Sequence, residues 1–140
     1  MDSLSQIVLG AAVSEAVIGK QAGRKALLWG AIAGTLPDLD VFIPFDDPVK
    51  DFTYHRGFSH SFTFLTLLTP GLTWLITKIP PTAGQHRNRW AWAIWLTLIT
   101  HPILDCFTVY GTQVLWPFTE YPVTWSTVFI IDPMYTVWLA

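Results

Sequence analysis

The chain has 140 residues, of which 51% are hydrophobic and only 13% are charged. A soluble domain usually carries charge on about a quarter of its residues, so this composition argues against a soluble domain and favours one membrane-embedded domain over residues 1–140. The formal net charge of −2 gives no sign of nucleic-acid binding. The single Cys106 excludes an internal disulfide.

Apolar segments separated by polar connections predict an all-α, multi-pass transmembrane bundle of about five helices. Glycine and alanine in the first two segments would let helices approach closely in lipid. Pro37 is expected to end the second helix, because its ring removes a hydrogen-bond donor and restricts the preceding residue. Pro70 is expected to kink the third. The predicted helices lie at about residues 3–19, 26–36, 58–79, 90–110 and from Trp125 onward.

The two ends of the sequence carry separate expectations. The beginning has Asp2 and no basic stretch, so the first apolar segment is expected to stay in the mature protein. The other end runs apolar to Ala140 without a polar tail, so the natural chain is expected to continue beyond it.

Six ionisable residues, three aspartates and three histidines, lie in or beside the apolar segments. Ionisable residues inside a membrane are rare, costly and by default functional. His101 and Asp105 are four residues apart, which places them on one helix face. The other two pairs would diverge on a regular helix, so they are expected on a loop, a helix start or a bent backbone. The six residues are Asp38, Asp40, His55, His60, His101 and Asp105.

The distribution of basic residues orients the predicted bundle. Cytoplasmic loops of membrane proteins carry an excess of Lys and Arg. Six of the eight basic residues fall around the first and third connections, and these connections are therefore predicted to be cytoplasmic. All six polar residues then meet at the non-cytoplasmic face, which predicts one shared site. Asp132 would lie at that face too, either in the site or as a helix N-cap.

Imidazoles and carboxylates together indicate a metal site. They suit zinc, and also manganese or iron, and the number of candidates allows one or two ions. Such a site supplies an activated water for hydrolysis of a phosphoester, with a lipid headgroup the natural substrate at a membrane face. Asp38 or Asp40 could act as general base. Arg56 could bind an anionic oxygen of the substrate or anchor at the headgroups.

Two other functions are open at this point. A transporter or channel for protons or metal ions would also place His and Asp in the membrane. It would need polar residues through the full thickness, whereas these cluster at one face. A non-catalytic protein could instead use a structural metal or polar network to hold its helices. The sequence alone does not distinguish this structural role from the metal-dependent hydrolase.

The motifs LPDLD, HRGFSHS and HPILDCFTVYG, followed by WPF, resemble those of a known bacterial family. These are the YdjM-like, LexA-regulated inner-membrane proteins, described as metal-dependent hydrolases. The resemblance covers nearly the whole chain, with the motifs in order. It implies a multi-pass inner-membrane protein, and the family motifs fall on the six polar residues named above. Membrane lipids and a small-molecule or lipid substrate are the implied partners.

Overall fold

A computed structural model of the chain describes residues 2–42, 57–79, 83–129 and Val137. Four α-helices and three short 3-10 segments lie in these ranges, together with one isolated bridge between Thr112 and Val123 and no strand. The predicted all-α class is therefore confirmed for the described residues. The helices are α1 (Ser3–Ala22), α2 (Arg24–Thr35), α3 (Phe62–Lys78) and α4 (Arg87–Cys106). The 3-10 segments are Pro37–Phe42, Phe58–His60 and Ala83–His86.

Helices α1 and α2 form a tight antiparallel hairpin. Gly23 joins them with a φ of 57°, a conformation that glycine adopts without steric cost. Gly10 of α1 faces Gly30 of α2 so closely that a Cβ on either would collide with the carbonyl oxygen of the other. A Cβ on Gly34 would lie 2.6 Å from the Gln6 carbonyl oxygen. Small residues thus bring the two backbones into contact, as their pattern predicted.

Helix α4 packs against all three other helices and carries much of the core. Its Trp90, Ile94 and Leu98 are at most 2% exposed. They meet Ile18 of α1 and Leu65 of α3 in one apolar cluster. Burying such side chains contributes about 1.5–3 kcal/mol each, so this cluster holds α4 against α1 and α3.

Two predicted boundaries were wrong. Residues 20–25, predicted as a loop, are helical except for Gly23, because one residue with positive φ suffices for the turn. The helix predicted from Trp125 does not begin there, and residues 125–129 are irregular. The backbone N–H of Trp125 donates to the Cys106 carbonyl at 2.6 Å, and that of Thr127 donates to Phe107 at 2.8 Å. These bonds satisfy carbonyl groups at the end of α4. Such groups have no N–H partner within the helix.

Within the described residues, no helix combines the length and the apolar character that an unbroken membrane span requires. Most of the polar connection between the second and third predicted helices, residues 43–56, and the part of the chain around Asp132 lie outside the described residues.

Candidate metal centre

Three separate elements bring four of the predicted residues together. Asp38 lies in the 3-10 segment that begins at Pro37, where α2 has ended. His60 closes the short 3-10 segment before α3. His101 and Asp105 lie one turn apart in the last part of α4, on one face as predicted. One ligand atom from each of the four lies within 4.8 Å of all the others, so the group could hold a metal ion.

Five of the six separations between these atoms are those of ligands around one ion. The two Nε2 atoms of His60 and His101 are 3.2 Å apart. Asp105 Oδ2 lies 3.3 Å from His60 Nε2 and 3.5 Å from His101 Nε2, and Asp38 Oδ1 lies 3.5 and 3.3 Å from the same two atoms. A tetrahedral zinc with ligands at about 2.0–2.1 Å has edges of about 3.3 Å. The distances therefore fit a single small cation between the four side chains.

Hydrogen bonds on the far side of each imidazole determine which nitrogen faces the centre. His101 Nδ1 lies 2.7 Å from the Gly34 carbonyl oxygen, which can only accept, so Nδ1 carries the proton. Ser59 Oγ donates to Asp40 Oδ2 at 2.6 Å and lies 2.9 Å from His60 Nδ1, so it accepts from that nitrogen. In their neutral forms both rings thus direct an Nε2 lone pair inward, the arrangement that metal-binding histidines adopt.

Gln6 of α1 also belongs to this centre, and sequence reasoning missed it. It is 1% exposed, and its Nε2 donates to Asp105 Oδ1 at 3.2 Å and to the His101 carbonyl at 3.3 Å. The amide holds one oxygen of Asp105 while the other faces the imidazoles. The only available signal was an uncharged amide within a small-residue helix, which by itself indicates nothing about metal binding.

The electrostatics of the cluster favour a positive charge. Burial opposes the imidazolium of His60, but its contacts with Asp105, Asp38 and Asp40 raise its pKa to about 10. Burial by itself would raise the pKa of Asp38. Its contacts with His101 and His60 outweigh burial and hold that pKa well below its usual value. Buried charges persist only when they are paired. The carboxylates therefore stabilise a cation at this point, whether a proton or a metal ion.

The other predicted site residues lie elsewhere. Asp40 contacts Ser59 and the Nδ1 side of His60, so it lies behind that imidazole, and its carboxylate is not among the four groups whose ligand atoms face one another. A 3-10 segment has three residues per turn, so positions two apart point in different directions. His55 and Arg56 lie outside the described residues.

The fold and the cluster together define an all-α protein with a buried His/Asp centre able to hold a metal ion. A model of the YdjM inner membrane protein family matches residues 1–140, and the chain belongs to that family. It is also 28% identical over 143 residues to the uncharacterized protein YfhP of Bacillus subtilis. That match covers 95% of this chain but only 42% of YfhP, so the chain spans less than half of the relative. No solved structure matches it significantly.

Proposed function

We propose that this protein is a multi-pass inner-membrane hydrolase that uses one divalent metal ion to cleave phosphoesters, with a lipid headgroup as the preferred substrate. The inward-facing Nε2 atoms of His60 and His101, flanked by two carboxylates at ligand distances, carry this proposal. Zinc suits this donor set best, and manganese or iron also fits. When bound, the ion would lower the pKa of a water molecule and neutralise charge on a phosphoryl oxygen.

The residues around the ion would have different tasks. His60, His101 and Asp105 have side chains at most 1% exposed, and we assign them to hold the ion. Asp38 lies on the solvent-accessible side of the centre, and 23% of its side chain is exposed. A catalytic zinc keeps one position for water or substrate, and displacement of Asp38 would provide it. Asp38 or Asp40 would then accept a proton, and Arg56 would bind the phosphate.

A structural metal site is the second candidate, because four protein ligands complete a tetrahedron by themselves. The two functions differ in their response to loss of Asp38. In a hydrolase, Asp38→Asn would lower turnover of a soluble phosphodiester at saturating zinc by ten- to a thousandfold. In a structural site, no metal-dependent turnover would be found in either protein, and the variant would lose only thermal stability.

The first test is the metal content of the protein purified in detergent without chelator or added metal. About one equivalent of zinc or manganese, measured by mass spectrometry and lost in the His101→Ala, Asp105→Ala double variant, is expected. The zinc-loaded protein is then assayed on phosphodiesters and phospholipids. Absence of bound metal even after reconstitution would refute the proposal.

The orientation of the protein needs a separate test. We assign the metal centre to the non-cytoplasmic face, because six of the eight basic residues flank the first and third connections. A reporter fused at Gly84, in the third connection, is expected in the cytoplasm. A periplasmic signal there would reverse the assignment without affecting the metal chemistry.

A further inference from the structure

A narrow apolar cavity of about 260 Å³ lies beside the metal centre, between the segment that follows α2 and the first half of α3. Ten of the described residues line it, and eight of these ten are apolar. The two polar ones are Asp40 and Ser59, whose side chains are hydrogen-bonded to each other at 2.6 Å. Ser59 Oγ lies 2.9 Å from His60 Nδ1, so the polar end of the cavity lies on the Nδ1 side of that ring, across the imidazole from the Nε2 atom that faces the centre.

The cavity is elongated away from that polar end. Ser59 precedes α3, whereas Phe64, Leu68 and Leu72 line the cavity along the helix. Phe64 and Leu72 are eight positions apart on the helix, which corresponds to about 12 Å at 1.5 Å per residue. A ligand that fills this cavity must therefore be long, thin and apolar, with a polar group at the end near His60.

The volume limits the ligand to one chain of moderate length. A water molecule occupies about 30 Å³ of liquid, and a methylene group needs a similar volume. The cavity thus accommodates roughly eight or nine methylene groups. Under the proposed orientation the first turn of α3 lies at the non-cytoplasmic face, so a chain in the cavity would run towards the bilayer centre. A membrane phospholipid has this geometry, with its phosphate at the surface and its acyl chains pointing inward.

We propose that this cavity binds the proximal part of one acyl chain of a phospholipid and thereby brings its headgroup to the His60 side of the metal centre. The inference rests on the proposed hydrolase function and specifies its substrate class. The second acyl chain, for which the cavity has no room, stays in the bilayer. Leu39, which is 48% exposed, also lines the cavity.

The test measures binding of n-alkyl phosphates, from butyl to dodecyl, to the full chain in amphipol, with zinc and with chelator. Each buried methylene is expected to tighten binding about fourfold. Affinity should rise to roughly eight or nine carbons and then level off. Leu68→Trp, which fills the cavity, should abolish this dependence. Leu67→Trp is the matched control, since Leu67 is its neighbour on α3, is 74% exposed and does not line the cavity.

A second variant guards against misfolding of the first. Phe64→Ala enlarges the cavity and should move the plateau to longer chains, an effect that general destabilisation would not produce. Affinity independent of chain length, or the same dependence in Leu68→Trp as in the wild type, would overturn the cavity assignment even if zinc still strengthened phosphate binding. If affinity depends on chain length but is the same with zinc and with chelator, the result would support the cavity and count against the hydrolase.

Discussion

Replacement of Gln6 by Met tests whether α1 supports the metal centre. Methionine has nearly the length of glutamine but no amide, so Asp105 Oδ1 loses the hydrogen bond that it accepts at 3.2 Å. A hydrogen bond to a charged group contributes roughly 1.5–3 kcal/mol, which corresponds to about ten- to a hundredfold in an equilibrium constant. Mutation of outer partners of metal ligands costs the same range in affinity. We therefore expect Gln6→Met to weaken zinc binding by ten- to a hundredfold.

The assay is a competition titration of zinc between the purified protein and a chromogenic chelator. Gln21→Met provides the matched control, because Gln21 lies on the same helix and is exposed. If Gln6→Met binds zinc within twofold of the wild type while its thermal unfolding is unchanged, the amide does not position Asp105.

Three further outcomes follow from the same geometry. His60→Ala should lose the bound metal, whereas His86→Ala, at an exposed position, should keep it, as metal analysis of the two proteins will show. Ser59→Ala removes the acceptor that holds Nδ1 of the imidazole and should weaken zinc binding about tenfold in the same competition titration; unchanged affinity would contradict that role. Gly34→Ala should cost about 1–3 kcal/mol of stability, because its Cβ would lie 2.6 Å from a carbonyl oxygen of α1. Gly71→Ala meets nothing within 4 Å and should stabilise the protein slightly, so equal thermal shifts in the two variants would argue against close helix packing.

Metal binding at the His/Asp cluster would be coupled to folding. Its atoms come from residues as far apart in the chain as Asp38 and Asp105, and three of its four side chains are almost fully buried. Two imidazoles facing each other at 3.2 Å need a proton or a cation between their lone pairs. Bound metal would therefore stabilise the fold as well as supply chemistry. A rise in unfolding temperature on adding zinc, absent in His60→Ala, would report this coupling.

Local features of the sequence were sufficient to predict the helices and most of the cluster. Apolar runs predicted four helices close to their observed positions, and Pro37 marked the end of α2. The four-residue spacing of His101 and Asp105 determined that they share a helix face. Asp38 and His60 could be selected because charged or polar residues beside apolar segments are costly unless they have partners. Each of these inferences depends on neighbours a few residues away.

Only the tertiary structure determined how those residues are arranged. Gln6 meets Asp105 across 99 positions of sequence, and this contact exists because α1 packs against α4, where Thr97 Oγ1 also donates to the Gly10 carbonyl oxygen. Asp38 and Asp40 looked equivalent in sequence, but the turn of their 3-10 segment directs one to the cluster and the other behind the imidazole. The cavity beside the centre arises from side chains of two separate segments. Such contacts depend on packing between distant parts of the chain, for which periodicity and spacing carry no information.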